Sequence, residues 1–394
     1  MSFLSPGIVS LILAYVLSQF YRAFLAVLTP LLQVELGASP GDLALSSGLW
    51  FIGFALMQPL VGRGLDQYGP RLTVAVLLAL GGAGGAAVFA LATQPWHLHV
   101  AMTLLGIGCS PALMGSYYII AREYPPSAFG VLGGIIVGVG SLGNILGASP
   151  LVWMTQALGW RQTLWALAVV TLATSALILA LVRDPARPPT DQPGGSMLQV
   201  LGLRALWFML PLFTVSYAAS AAIRGLWAGP YLQEVFAADS DLIGVAALAM
   251  GLAMVAGNFL IGPMVRAIGS LRRTILVMNT ALALILLALW AWPDAGVWTA
   301  VAMLTLVGFS GAGYVLLMAH GRAFLPPHLL GRGVTLLNMF SIAGVAAMQF
   351  GSRPVYQAMA GQPPAQTYAT LFLFFALPMA VGVTLYLLTP EAPQ

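Results

Sequence analysis

G-R-G-L-D-Q-Y-G-P-R, Gly62 to Arg71, is a short polar break between two long apolar runs. A shorter echo, G-P-M-V-R-A-I-G, stands at Gly262 to Gly269, again between apolar runs. Gly62 and Gly69 therefore match Gly262 and Gly269. Other residues keep a displacement near 200. Arg122 matches Arg322, and Pro125-Pro126 matches Pro326-Pro327 one position out of step. Y-V-L-S-Q-F-Y-R, Tyr15 to Arg22, returns as Y-A-A-S-A-A-I-R, so Tyr15, Ser18 and Arg22 pair with Tyr217, Ser220 and Arg224. A displacement held across several segments marks an internal repeat.

The runs around these motifs are made for lipid. Of 394 residues, 60% are hydrophobic and 7% charged, against about 25% charged in soluble domains. So few charges cannot cover a soluble surface, and the chain reads as an all-α integral membrane protein. Twelve apolar segments are long enough to span: 8–33, 43–63, 71–93, 97–121, 127–153, 160–182, 205–232, 241–264, 272–293, 297–321, 333–357 and 366–388. With the N-terminus in the cytoplasm, eleven arginines fall at cytoplasmic ends or loops and only Arg161 and Arg353 opposite. The positive-inside rule then puts both termini in the cytoplasm. The longest polar interruption, R-D-P-A-R-P-P-T-D-Q-P-G-G-S, Arg183 to Ser196, divides the chain. We expect a six-helix bundle at 1–183, a flexible cytoplasmic linker at 184–203 and a second bundle at 204–394. The first apolar segment has no basic region before it and no small-residue cleavage site, and reads as a retained helix.

Several functions are excluded. All 15 basic residues are arginine and are scattered through short loops, which is not a nucleic-acid surface. A single Cys109 allows neither an internal disulfide nor a cysteine metal site. Met250 and Met254, spaced i and i+4, read as packing rather than soft-metal passage without clustered Cys or His. No nucleotide loop, catalytic triad or zinc motif appears, so neither an enzyme nor a cofactor is expected. Repeated bundles with a midplane site are the plan of secondary transporters.

The loop Gly62 to Arg71 resembles the major facilitator superfamily signature G-x-L-A-D-R-x-G-R-K, with Gly62, Asp66, Gly69 and Arg71 at matching positions. With the echo, twelve segments and a central linker, the resemblance covers essentially the whole chain. It implies two pseudo-symmetric six-helix bundles working by alternating access. It also implies a conformational role for the loop, Asp66 acting by charge pairing and at a helix N-terminus. Two departures bear on coupling. Many proton-coupled members carry an arginine four residues before a glycine in the fourth helix, where Met102 precedes Gly106 here. In the fifth, Asn144 follows Gly143 where the antiporter signature has proline.

Arg22 and Arg224 fall within spanning segments. A charge at that depth costs about 2.5–3.5 kcal/mol on insertion scales. All eleven acids fall at segment ends, in loops or in the tail. Water, carbonyls and hydroxyls can satisfy the guanidiniums, or a bound anion can, and their planar donor fork suits carboxylate, phosphate or sulfonate oxygens. Helical spacing sets Tyr15, Ser18 or Gln19, and Arg22 on one stripe, and Tyr217, Ser220, Arg224 and Trp227 on another. In the superfamily fold the first and seventh helices line a central cavity, and an arginine in each resembles the organophosphate:phosphate antiporters. Ser110, Met114 and Tyr117 of the fourth segment and Ser310 and Tyr314 of the tenth are further candidates to line it, with plain packing the competing role. Asn144, Asn258, Asn338 and Gln349 suit helix-to-helix hydrogen bonds. His320 is a candidate for proton coupling or a packed histidine, since no acid adjoins it.

The reading is a carrier for a small anionic substrate, embedded in the lipid bilayer as a monomer, in a bacterial inner membrane. Two alternatives stand beside it: an exporter of amphipathic compounds with an aromatic-lined cavity, and a non-transporting membrane sensor.

Overall fold

The structure, a computed structural model, describes residues 5–38, 40–147, 149–186 and 197–391. Among the described residues the regular structure is helical, without a strand. Twelve helices are long and apolar enough to cross a membrane. They are α1 (Pro6–Leu36), α2 (Pro40–Gln67), α3 (Pro70–Ala90), α4 (Pro95–Glu123), α5 (Ala128–Leu146) and α6 (Trp160–Leu181). The others are α7 (Arg204–Phe236), α8 (Ser240–Ile268), α9 (Leu271–Ala291), α10 (Val297–Arg322), α11 (Leu330–Ala358) and α12 (Pro364–Tyr386). Residues 187–196 of the expected linker lie outside the described residues.

The helices form two compact units. One holds Met1–Pro125, Val139–Val200 and Pro326–Leu336; the other holds Pro126–Gly138, Leu201–Leu325 and Leu337–Gln394. Each follows a sequence half except for two short segments, at the starts of α5 and α11.

Polarity is inverted relative to a soluble protein. On α6, Trp165, Val169 and Leu172 point outward, while Thr163, Thr171, Thr174 and Ser175 are buried. The Thr171 hydroxyl meets Tyr21 of α1 at 2.8 Å, and the Ser175 hydroxyl donates to the Ala75 carbonyl of α3 at 2.7 Å. Lipid accepts no hydrogen bond, so polar groups turn inward and tie helices together. Ser216 of α7 donates to Asn279 of α9 at 2.6 Å in the other unit by the same logic.

The sequence repeat reappears as matched contacts. Gly69 and Gly269 both take a positive φ, 87° and 76°, that reverses the chain between helices. A Cβ on Gly106 would meet the carbonyl oxygen of Trp50, and one on Gly308 that of Met250. A Cβ on Gly143 would meet Val16, and one on Gly344 would meet Thr214. So α2 packs on α4 as α8 packs on α10, and α1 packs on α5 as α7 packs on α11. α4 and α10 break at equivalent places, Ser110-Pro111 and Gly311-Ala312.

The close approach at Gly344 tolerates no side chain. Gly344→Val should lower the thermal midpoint of the purified protein by several degrees or prevent its recovery, since overpacking costs about 1–3 kcal/mol. Gly244→Ala, with nothing within 4 Å of the added Cβ, should leave the midpoint unchanged. Equal midpoints for both variants would contradict the packing described.

Candidate functional site

Midway along α1, Arg22 is half-buried against an aromatic wall from α2. Its guanidinium carbon lies 4.9 Å from the Trp50 ring centre, 5.8 Å from Phe51 and 5.9 Å from Phe54. Trp50 and Phe54 stack at 5.1 Å. A cation over such rings gains about 2 kcal/mol where water is excluded, offsetting much of the insertion cost at this depth. The platform is stiff, because the α2 backbone at Trp50 is pressed against Gly106 of α4.

Several buried polar atoms of α1 and α2 have no hydrogen-bond partner among the described residues. The indole nitrogen of Trp50 is one, on a side chain 1% exposed. The amide oxygens of Gln19 and Gln58 are two more, on residues equally closed off. Gln58 is fixed by its own nitrogen, which donates to the carbonyls of Phe54 at 3.4 Å and Ser110 at 3.3 Å. Leaving such an atom unpaired costs about 1–3 kcal/mol. Trp50, Phe54 and Gln58 share one face of α2, and Gln19 and Arg22 share one face of α1. The Gln19 side chain also lies against Gly143 of α5, and the Gln58 amide reaches α4.

The other expected residues of this unit are buried among its helices. Tyr15 packs its ring on Gly140 of α5, and Ser18 adjoins Cys109. Met114 and Tyr117 are fully buried, and the Ser110 hydroxyl donates to the Ile107 carbonyl at 2.6 Å.

The second unit differs. Arg224, half-buried, sits in a π-helical turn, Ile223–Trp227, inside α7. The wide turn rotates the remainder of the helix, so the regular stripe expected from Tyr217 through Trp227 is interrupted. Such turns often accompany functional sites. Ser220 donates to the Val307 carbonyl at 2.9 Å, Trp227 to Ser352 at 2.8 Å, and Ser310 to Leu306 at 3.0 Å. Tyr314 donates to Asn338 at 2.7 Å and packs its ring 5.7 Å from Tyr217. These donors already serve helix packing. His320 is fully buried, its Nδ1 against the Tyr386 hydroxyl and its ring against Phe324.

The signature loop has its own set of partners. The Asp66 carboxylate accepts from the amides of Gly331 and Arg332, at 2.9 and 3.2 Å, at the start of α11, and lies 3.5 Å from the Arg332 guanidinium. Gly62 lets α2 approach Thr335 and Arg332 closely. Arg71 turns elsewhere: its side chain donates to the Leu179 carbonyl at 2.7 Å, and its amide donates to Asp184 at 2.9 Å. Asp184, expected in the linker, thus holds the start of α3.

Sequence reading missed Trp50, Phe51, Phe54 and Gln58. The available signal was W-F-I-G-F, Trp50 to Phe54, with Gln58 one turn beyond in a spanning segment.

The model of the Major Facilitator Superfamily matches residues 11–348. This chain belongs to the major facilitator superfamily. It is a multi-pass membrane transporter, not an enzyme. Among curated proteins it is 27% identical over 183 residues to a hexuronate transporter of Bacillus subtilis, covering 45% of this chain and 42% of that one. It is 26% identical over 172 residues to a probable sulfoacetate transporter of Cupriavidus necator, covering 44% and 40%. It is 30% identical over 174 residues to a triacylglyceride transporter of Mycolicibacterium smegmatis, covering 41% and 30%. The matched stretches thus span less than half of each of these relatives. Among solved structures, the E. coli fucose:proton symporter superposes with a TM-score of 0.77 at 16% identity, covering 99% of this chain and 100% of that one. The human organic anion transporter MFSD10 superposes at 0.75 and 18%, covering 96% and 99%. At such identities the superpositions establish the fold.

Removing the Asp66 carboxylate leaves two amides and a buried guanidinium without their acceptor. Breaking a buried ion pair in this way costs about 3 kcal/mol or more. Asp66→Ala should lower the thermal midpoint by several degrees and slow transport in liposomes at least tenfold. A variant with the wild-type midpoint and rate would remove Asp66 from any structural or gating role.

Proposed function

We propose that this transporter moves a small organic or inorganic anion, a carboxylate, phosphate ester or sulfonate, by alternating access. Arg22 and Arg224 supply the guanidiniums that bind its acid group. One observation carries the reading: the permanent cation of Arg22 is held mid-helix on an aromatic platform, beside a second donor, the buried indole N–H of Trp50. A fixed positive charge at this wall favours a ligand of the opposite sign, and its planar fork suits an oxyanion. The curated relatives named for hexuronate and sulfoacetate, both acids at neutral pH, support the same class.

We assign the remaining expected residues to supporting roles. Tyr15, Ser18, Gln19, Tyr217, Ser220, Trp227, Ser110, Met114, Tyr117, Ser310 and Tyr314 shape or line the path. Gly62, Asp66, Gly69 and Arg71 take part in gating. The carrier works as an anion exchanger or in an ion-coupled mode, and His320 is the candidate proton site for the latter. It acts as a monomer in a bacterial inner membrane, with both termini in the cytoplasm.

A second reading, export of amphipathic compounds, draws on the relative named for triacylglyceride and on the cluster of Trp227, Tyr231, Tyr356, Tyr368 and Phe372 in the second unit.

Thermal stabilisation separates the two. Purified protein is titrated with carboxylates, phosphate esters, sulfonates and lipophilic cations, alongside Arg22→Ala and Arg224→Ala. Anion binding should fall at least tenfold in each variant, as expected for loss of a charge-assisted hydrogen bond of about 1.5–3 kcal/mol. Stabilisation by lipophilic compounds that survives both substitutions would favour the exporter.

A further inference from the structure

Resting on the ion-coupled mode of that carrier, we propose that His99, Asp42 and Ser46 form a proton-binding clasp between the starts of α2 and α4.

α2 and α4 pack closely. A Cβ on Gly53 would meet the Thr103 carbonyl oxygen at 2.8 Å, and one on Gly106 would meet that of Trp50. Paired residues climb together, 46 with 99, 53 with 103 and 58 with 110, so the two helices run parallel. At the start of this seam, side-chain chemistry replaces backbone packing. The Ser46 hydroxyl lies 2.8 Å from Nδ1 of His99. Asp42, one turn before Ser46, places Oδ1 3.8 Å from Nε2 of the same ring. α2 therefore engages both ring nitrogens. On α4 the His99 carbonyl accepts from the Thr103 hydroxyl at 2.7 Å.

This set of partners accommodates two protonation states. A neutral imidazole has one N–H and one acceptor nitrogen, and an imidazolium has two N–H donors. The Ser46 hydroxyl can donate or accept, so it serves Nδ1 in either state. An ionised carboxylate can only accept, so Asp42 suits an N–H at Nε2 and becomes a full countercharge once the ring is protonated. A separation of 3.8 Å is too long for a hydrogen bond and within ion-pair range. Proton uptake converts this loose contact into an ion pair and draws the first turn of α2 onto α4. Proton release relaxes it. The His99 and Asp42 side chains are 21% and 34% exposed, so water reaches the ring, while Ser46 is fully buried behind it. Histidine is the side chain whose ordinary titration falls between about pH 5 and 8.

Other charged and titratable groups at the same ends of this unit's helices face elsewhere. Glu35 of α1 accepts from the Trp160 indole at 2.7 Å. Arg161 of α6 donates to the carbonyls of Ala90 and Ala92. Nδ1 of His97 accepts from the amides of Thr93 and Gln94. The end of α3, residues 78–90, carries no ionisable side chain. His320, in the other unit, is fully buried against Tyr386 and Phe324.

The clasp leads to the Arg22 wall. Asp42, Ser46 and Trp50 follow each other every fourth residue along one face of α2. The turn that grips His99 is therefore followed, about 6 Å further along the helix, by the ring beneath Arg22. A proton held at His99 acts on the end of the helix that positions the acid-binding cation.

The test uses full-length protein with ring-labelled histidine in detergent. The chain has four histidines, and the His99 signal is the one lost in His99→Gln. It should titrate in a single step between about pH 5 and 8. Asp42→Asn should move that step to lower pH, because the countercharge that favours the imidazolium is gone. In liposomes, an imposed pH gradient should speed uptake of D-glucuronate or sulfoacetate severalfold, and His99→Gln should lose that stimulation. A His99 signal unmoved from pH 5 to 8, or a step that Asp42→Asn leaves in place, would overturn the clasp whether or not an acid is carried. Stimulation kept in His99→Gln, or lost only in His320→Gln, would overturn its part in coupling. If neither acid is carried while His99 titrates as described, the proton site stands and the anion reading fails.

Discussion

Hydrocarbon offers no hydrogen bonds, and a guanidinium placed in it must find its partners inside the protein or in a bound molecule. Arg22 shows how this chain meets that constraint. The charge rests on the faces of Trp50, Phe51 and Phe54, whose rings attract a cation electrostatically. The contrast lies within the same unit. Arg332 is paired with Asp66 and two amides join the same carboxylate, an arrangement suited to holding structure.

The two units share a plan and differ in local detail. Their glycine contacts, helix breaks and positive-φ turns match at a displacement close to 200. Around α7, Ser216, Ser220, Trp227 and Tyr314 donate to groups of their own unit. Buried polar atoms without a hydrogen-bond partner among the described residues occur in both units, on Trp50, Gln19 and Gln58 in the first and on Asn258, Asn338 and Ser341 in the second. In α7 the π turn at Arg224 contributes a local irregularity that a regular helix would lack.

Much of the fold was legible because lipid imposes a simple code. Length and apolarity set the twelve helices. Departures from regular geometry could not be read. Spacing alone gave Tyr217, Ser220, Arg224 and Trp227 one face, and the wide turn at Ile223–Trp227 breaks it. Asp184 looked like a linker acid, yet it accepts the Arg71 amide at the start of α3, a contact between residues 113 positions apart. Trp50 was passed over because aromatic residues in a spanning segment ordinarily face lipid or core. Only the crossing of α1 and α2 brings its ring under Arg22.

The most direct measurement is an experimental density map of the protein prepared with a saturating carboxylate that carries a heavy-atom label. Density for the acid group is predicted within hydrogen-bond reach of the Arg22 guanidinium and the Trp50 indole nitrogen. Ordered carboxylate at a position remote from Arg22, with that guanidinium still resting on the aromatic rings, would contradict acid recognition at this wall.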